Sequence, residues 1–148
     1  MIDKEQILQW FAHECDSTPE EGADGEVEWV LTGKVGGLGT TILCPKGEDF
    51  VQIQRGIKVT DEHKTIISGR SRDRPTEFYY NLKRGLLLTG ARWQLIFTDE
   101  DETELNEVKI STRLFKDGLT RDAFQQRLMT VHDASILLFI ELRHILSE

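Results

Sequence analysis

The sequence predicts an α+β fold. It is an antiparallel sheet of five or six strands, in the order helix, three strands, helix, two or three strands, long C-terminal helix. Three observations predict it. Apolar residues recur at helical spacing at both ends and in the middle of the chain, and alternate in between. The alternating stretches are joined by short turns, which pair strands antiparallel. A length of 148 residues, 39% hydrophobic and 30% charged, fits a single domain over 1–148 that buries a core without disulfide or metal staples.

The first helix is "DKEQILQWFAHEC". Asp3 caps it, Gln6 stands in capping-box position, and Ile7, Trp10, Phe11 and Cys15 share one face. "DSTPEEGADGE" (16–26) reads as a polar connection. "EVEWVLTG" then alternates, with Val27, Trp29 and Leu31 opposite Glu28, Val30 and Thr32. "TTILC" is a second strand, ended by Pro45. "FVQIQRGIKV" is a third, with Val51, Ile53, Ile57 and Val59 on one parity. "TDEHKTIISG" makes a short helical turn capped by Thr60. "PTEFYYNLKRGLLLTG" is the middle helix: Pro75 lies near its first position, Phe78, Leu82 and Leu86 form its stripe, and Gly90 stops it. "RWQLIFT" and "ELNEVKISTRLF" pair across the acidic tip "DEDET", and from Thr120 onward "TRDAFQQRLMTVHDASILLFIELRHIL" is one long helix.

"KVGGLGTT" (34–41) resembles a phosphate loop but lacks its chemistry. Gly39, not lysine, precedes Thr40. The next residues, "TTILC", are β-branched and alternating, so no helix N-terminus receives an anion. Gly33, Gly36, Gly37 and Gly39 therefore read as a flexible hairpin connection.

No catalytic set can be assembled. His13, His63, His132 and His144 lack an i, i+4 partner, and Cys15 and Cys44 lack zinc or redox spacing. The acidic stretch 98–105 fails as a calcium loop: counting from Asp99 puts Glu104 where glycine belongs and Ile110 where the bidentate acid belongs. The expectation is a protein that is not an enzyme and has no metal or cofactor.

Two features point to interaction instead. Arg70, Arg72 and Arg74 form a basic island in a chain of net charge −8. An extended backbone before Pro75 would send all three guanidinium groups to one side. In the last helix, Ile136, Leu137, Leu138, Phe139, Ile140, Leu142, Ile145 and Leu146 wrap most of the cylinder, more than one sheet face needs. Leu137, Phe139 and Ile140, with the three arginines, are the candidate partner contacts. The first reading is a noncatalytic protein-interaction module. The alternative is a small anionic-ligand or nucleic-acid sensor built on Arg70–Arg74, although overall acidity disfavours general nucleic-acid binding. The polar start "MIDKEQ" and the lack of any apolar window of ~20 residues lead us to expect a cytoplasmic protein without membrane contact.

From Asp3 to Leu146, the element order, size and acidity resemble the class I type III secretion chaperones and related domains of unknown function that share their fold. The resemblance implies a noncatalytic homodimer that holds an extended polypeptide along its surface. Those chaperones dimerise largely through the middle helix, here Pro75 to Thr89, so Phe78, Tyr79, Leu82 and Leu86 are the implied interface. Their surfaces are mainly acidic, and the arginine island departs from that pattern. If the island recognises a partner, replacing all three arginines with glutamine should weaken capture of a co-purifying partner and flatten its salt dependence. Equal affinity and equal salt slopes would make it a solvated loop.

Overall fold

The structure is a computed structural model that describes residues 2–69, 73–100 and 104–147, with backbone alone at 68, 69, 73–76, 146 and 147. The elements are α1 (Lys4–Glu14), β1 (Glu20–Gly22), β2 (Val27–Val35), β3 (Leu38–Pro45), β4 (Phe50–Lys58), α2 (Asp61–Gly69), α3 (Asp73–Thr89), β5 (Arg92–Phe97), β6 (Leu105–Phe115), a 3-10 turn (Lys116–Gly118) and α4 (Arg121–Ser147). The six strands form an antiparallel sheet in the order β1-β2-β3-β4-β6-β5. The expected α+β class and element order are those of the molecule. The chain divides into two compact units, Met1–Arg55 with Ser111–Val131, and Gly56–Ile110 with His132–Glu148.

In the first unit, α1 starts where Asp3 accepts a hydrogen bond from the Glu5 amide at 3.0 Å. The helix buries Ile7 and Phe11. Strands β2 and β3 bury Trp29, Leu31, Ile42 and Cys44, and β4 adds Val51 and Ile53. Phe124 and Leu128 of α4 complete this core, with the Trp10 ring 5.9 Å from that of Phe124. The segment expected to be only a polar connection contains β1, which pairs with β2 from Glu20↔Thr32 to Gly22↔Val30. It is short and wholly exposed, so alternation could not mark it.

The glycines are not a flexible loop. Strand pairing continues through Gly33↔Thr40, Lys34↔Gly39 and Val35↔Leu38, leaving only Gly36 and Gly37 to turn the chain. Their φ angles of 60° and 79° are both left-handed, as the primed turns of tight hairpins require. Gly33 has a different reason. A Cβ there would lie 2.7 Å from Cys15 Sγ and 3.3 Å from the Phe11 ring, so the missing side chain lets the end of α1 rest on β2.

In the second unit, Thr60 caps α2: its hydroxyl accepts from the His63 amide at 3.3 Å and bonds His63 Nδ1 at 2.8 Å. Lys64 Nζ donates to Asn106 Oδ1 at 2.9 Å, tying α2 to β6. Helix α3 begins at Asp73, so Pro75 lies in its first turn as expected, whereas Arg74 is helical and not extended as expected. Proline fits there because amides of the first turn have no intrahelical acceptor. The core of this unit joins Phe78, Leu82 and Leu86 to Leu105, Val108, Ile110, Leu138, Leu142 and Ile145.

Two substitutions should separate packing from backbone strain. Gly33→Ala forces a methyl into a filled space and should cost about 1–3 kcal/mol in urea denaturation. Gly37→Ala meets nothing within 4 Å and should cost about 1–2 kcal/mol through its positive φ alone. A Gly33→Ala protein as stable as wild type would refute the close approach.

Candidate interaction surface

The middle helix has two apolar sides. Its inward side carries Phe78, Leu82 and Leu86, 3%, 0% and 0% exposed. These three were implied at a dimer interface. They instead face the protomer's own core, and their surface is already covered. Tyr79 is half-buried, edge-on to Phe97 of β5 at 5.5 Å, and burial raises its pKa. The outward side carries Tyr80, Leu87 and Leu88, exposed by 64%, 70% and 81%. With Glu77 and Arg84, also exposed, they fall within about 100° of arc at 100° per residue. Neither Glu77 nor Arg84 has a salt-bridge partner among the described residues. The outward set has its own signal in the sequence, large residues at i, i+7 and i+8.

The long helix resolves similarly. Leu138, Leu142 and Ile145 are buried, whereas Ile136 and Ile140 are 41% and 58% exposed. Of the expected partner contacts, Ile140 faces outward, and Leu137 and Phe139 are half-buried. Leu137 lies against Gly85 of α3, where an added Cβ would be 2.6 Å from Leu137 Cδ2. Arg70 and Arg72 lie outside the described residues, and Arg74 is described by its backbone alone.

The glycine turn has a ligand, and the chain supplies it. Asp16 Oδ1 accepts from the Gly36 amide at 3.2 Å and Oδ2 from the Gly37 amide at 2.7 Å. The Asp16 amide in turn donates to the Lys34 carbonyl at 2.8 Å. Two successive amides pointing into one concavity are an anion nest, and a carboxylate from the end of α1 fills it. The glycines stand out in the sequence, but Asp16 does not, because it lies 20 residues away.

Arg55 and the two cysteines have structural surroundings. Arg55 is 2% exposed. Its Nε donates to Thr40 Oγ1 at 2.9 Å and its Nη2 to the Val35 carbonyl at 3.2 Å, and burial lowers its pKa. It ties the turn end of the β2-β3 hairpin to β4. Cys15 is pushed up to about 11, by burial first and then by Asp16 and Glu14, and burial also raises Cys44. Both thiols therefore stay protonated and weakly nucleophilic. Among the described residues, no group of three or more His, Cys, Asp or Glu is placed to hold a metal ion.

Comparison with known proteins agrees with this architecture. Residues 3–142 match the family model described as "Uncharacterized conserved protein (DUF2299)", and the chain belongs to that family. A search of the curated proteins found no match. Among solved structures, the chain is similar to an uncharacterized protein from Methanothermobacter thermautotrophicus, at 23% identity and a TM-score of 0.86, over 97% of this chain and 98% of that one. It is also similar to a chain in the structure of the ExsC-ExsE complex, at 13% identity and a TM-score of 0.52, over 93% and 95% of the two chains. At those identities the likeness is one of fold.

Because Asp16 occupies the turn, magnesium-ATP and magnesium-GTP should leave the melting temperature unchanged. A ligand at a hundredfold excess over its Kd would add about 2.7 kcal/mol. A clear magnesium-dependent rise with either nucleotide would overturn this account of the glycines.

Proposed function

We propose that this DUF2299 protein is a noncatalytic protein-binding module that works as a cytoplasmic homodimer and holds a polypeptide partner. The observation that carries the reading is the outward stripe of α3. Tyr80, Leu87 and Leu88 are too exposed to stabilise the protomer, and exposed apolar surface of this kind is a mark of association. The stripe suits a second copy of itself. Laid antiparallel across a two-fold axis, it sets Glu77 of one protomer beside Arg84 of the other, twice, with the tyrosines and leucines between and around them. The fold-level likeness to a chain solved in the ExsC-ExsE complex supports the polypeptide partner. The noncatalytic part of the reading rests on the sequence, which offers no nucleophile paired with a base. Among the described residues, no helix is long and apolar enough to cross a membrane.

Sedimentation equilibrium at micromolar concentration should give about twice the 17.0 kDa chain mass. Leu87→Asp with Leu88→Asp should give the chain mass, with the circular dichroism spectrum retained because both side chains already face solvent. Glu77→Arg alone should weaken the dimer, and adding Arg84→Glu should restore it. A wild-type protein that sediments as a monomer would remove the dimer, and a purified dimer that retains no polypeptide from its native source would remove the partner.

A further inference from the structure

The sheet of the first unit has one face covered by helices and one face open. Gly33 meets Phe11 and Cys15 of α1, and the hydroxyl of buried Thr112 donates to the Arg127 carbonyl of α4 at 3.3 Å, so both helices lie on the same side. Residues of the opposite parity face away from them. They include Thr32, Thr41 and Gln54, which stand in cross-strand register, then Gln52 on β4, and Arg113 and Phe115 on β6.

Arg113 is held unusually firmly for a residue on an open face. Its guanidinium carbon sits 4.6 Å above the centre of the Phe50 ring, and Phe50 is itself only 7% exposed. Its Nε donates to Gln52 Oε1 at 3.2 Å, and Gln52 Nε2 donates to Gln54 Oε1 at 2.7 Å, so the amide that positions the arginine is itself fixed. Yet no carboxylate of the described residues lies within 4.0 Å of the guanidinium, and its two terminal amino groups have no protein acceptor among them. An arginine immobilised by stacking and by its Nε presents the rest of its fork with little further loss of side-chain entropy, the geometry that carboxylates and phosphates take. Beside it, Phe115 is 55% exposed, with its ring centre 5.4 Å from that of Phe50.

We propose that Arg113 is the centre of a carboxylate-binding site on this open sheet face, and that its occupant is an extended polypeptide segment with one acidic side chain next to an apolar one. The carboxylate takes the arginine fork and the apolar neighbour covers Phe115. A single carboxylate suits the site better than a chain of phosphates. The protein carries a net charge of −8, and Glu20, in register with Thr32, is exposed on the same face, so a polyanion meets repulsion that one acid in a neutral segment largely escapes. The inference rests on the protein-binding reading and names the partner's chemistry at a surface other than α3.

The test is a nitrogen-15 NMR titration of the full chain with the blocked peptide acetyl-Ser-Leu-Glu-Leu-Ser-amide. The same peptide with glutamine for glutamate, sodium phosphate and an oligothymidylate serve as comparisons. The glutamate peptide should shift the Arg113 Nε–H and the Phe115 amide. Its glutamine counterpart should bind about tenfold more weakly, as should the Arg113→Gln protein toward the glutamate peptide. Arg113→Lys should recover only part of the loss, because it restores charge without the fork. Phe115→Ala, at an exposed position, should also weaken binding, and it serves as the second variant if Arg113→Gln fails to fold. Equal binding of the two peptides, unchanged binding by the variants, or no saturable shift would each overturn the proposal. Tighter binding of phosphate or oligothymidylate at Arg113 would overturn the choice of occupant. Sedimentation of the Arg113→Gln protein separates the two readings: a dimer that persists while peptide binding is absent leaves the α3 proposal standing.

Discussion

Much of the first unit depends on one absent side chain. Without a Cβ at Gly33, the Phe11 ring and the Cys15 thiol lie directly on β2. That contact fixes the height of α1 above the sheet and the point at which the chain leaves the helix. Asp16 is the next residue, and its amide bonds Lys34 while its carboxylate bonds the turn. A helix held further from the sheet would carry Asp16 out of reach of both. Packing at one residue thus sets the polar closure at the turn that follows β2, and apolar contact and hydrogen bonding select the same position for the helix.

Local rules made much of this legible. The start of α1 follows from Asp3 and the spacing of Ile7 and Phe11, and the parity of β2 and β4 follows from alternation, even for Arg55, which shares a parity with buried Ile53. The features that stayed hidden depended on partners distant in sequence. The β1 residues Glu20–Gly22 are a strand only because β2 lies beside them. Gly33 and Gly39 looked like loop residues until strand pairing placed them within β2 and β3. In α3, sequence pattern selected the i, i+4 series Phe78, Leu82 and Leu86 but could not say which of two apolar sides faces the core. Arg113 reads as one more charged residue in an alternating strand, because the group that positions it is Gln52, 61 residues earlier.

The exposed surfaces differ in kind. On α3, large aliphatic and aromatic groups dominate, with one acid and one base set seven residues apart, a pattern suited to burial against an equally apolar face. On the open sheet face, hydroxyls, amides and a stacked guanidinium dominate, which suits an occupant that keeps its own polar groups satisfied. In the proposed reading, the first kind of surface suits pairing with a second copy and the second kind suits an exchangeable partner.

The carboxylate in the glycine turn also bears on how such a site could change. Asp16 is tethered to the turn through α1 and Gly33, so its concentration there is set by geometry and not by solution. Tethered groups reach effective concentrations of millimolar and above. An external anion has to displace a resident that never diffuses away, and weak metabolites at ordinary levels do so poorly. The same arrangement makes the turn a latent receptor. Its amides are already converged by the left-handed backbone at Gly36 and Gly37, and the resident is removed by altering a single side chain. Loss of that carboxylate would leave the Gly36 and Gly37 amides converged on a space with their present acceptor gone.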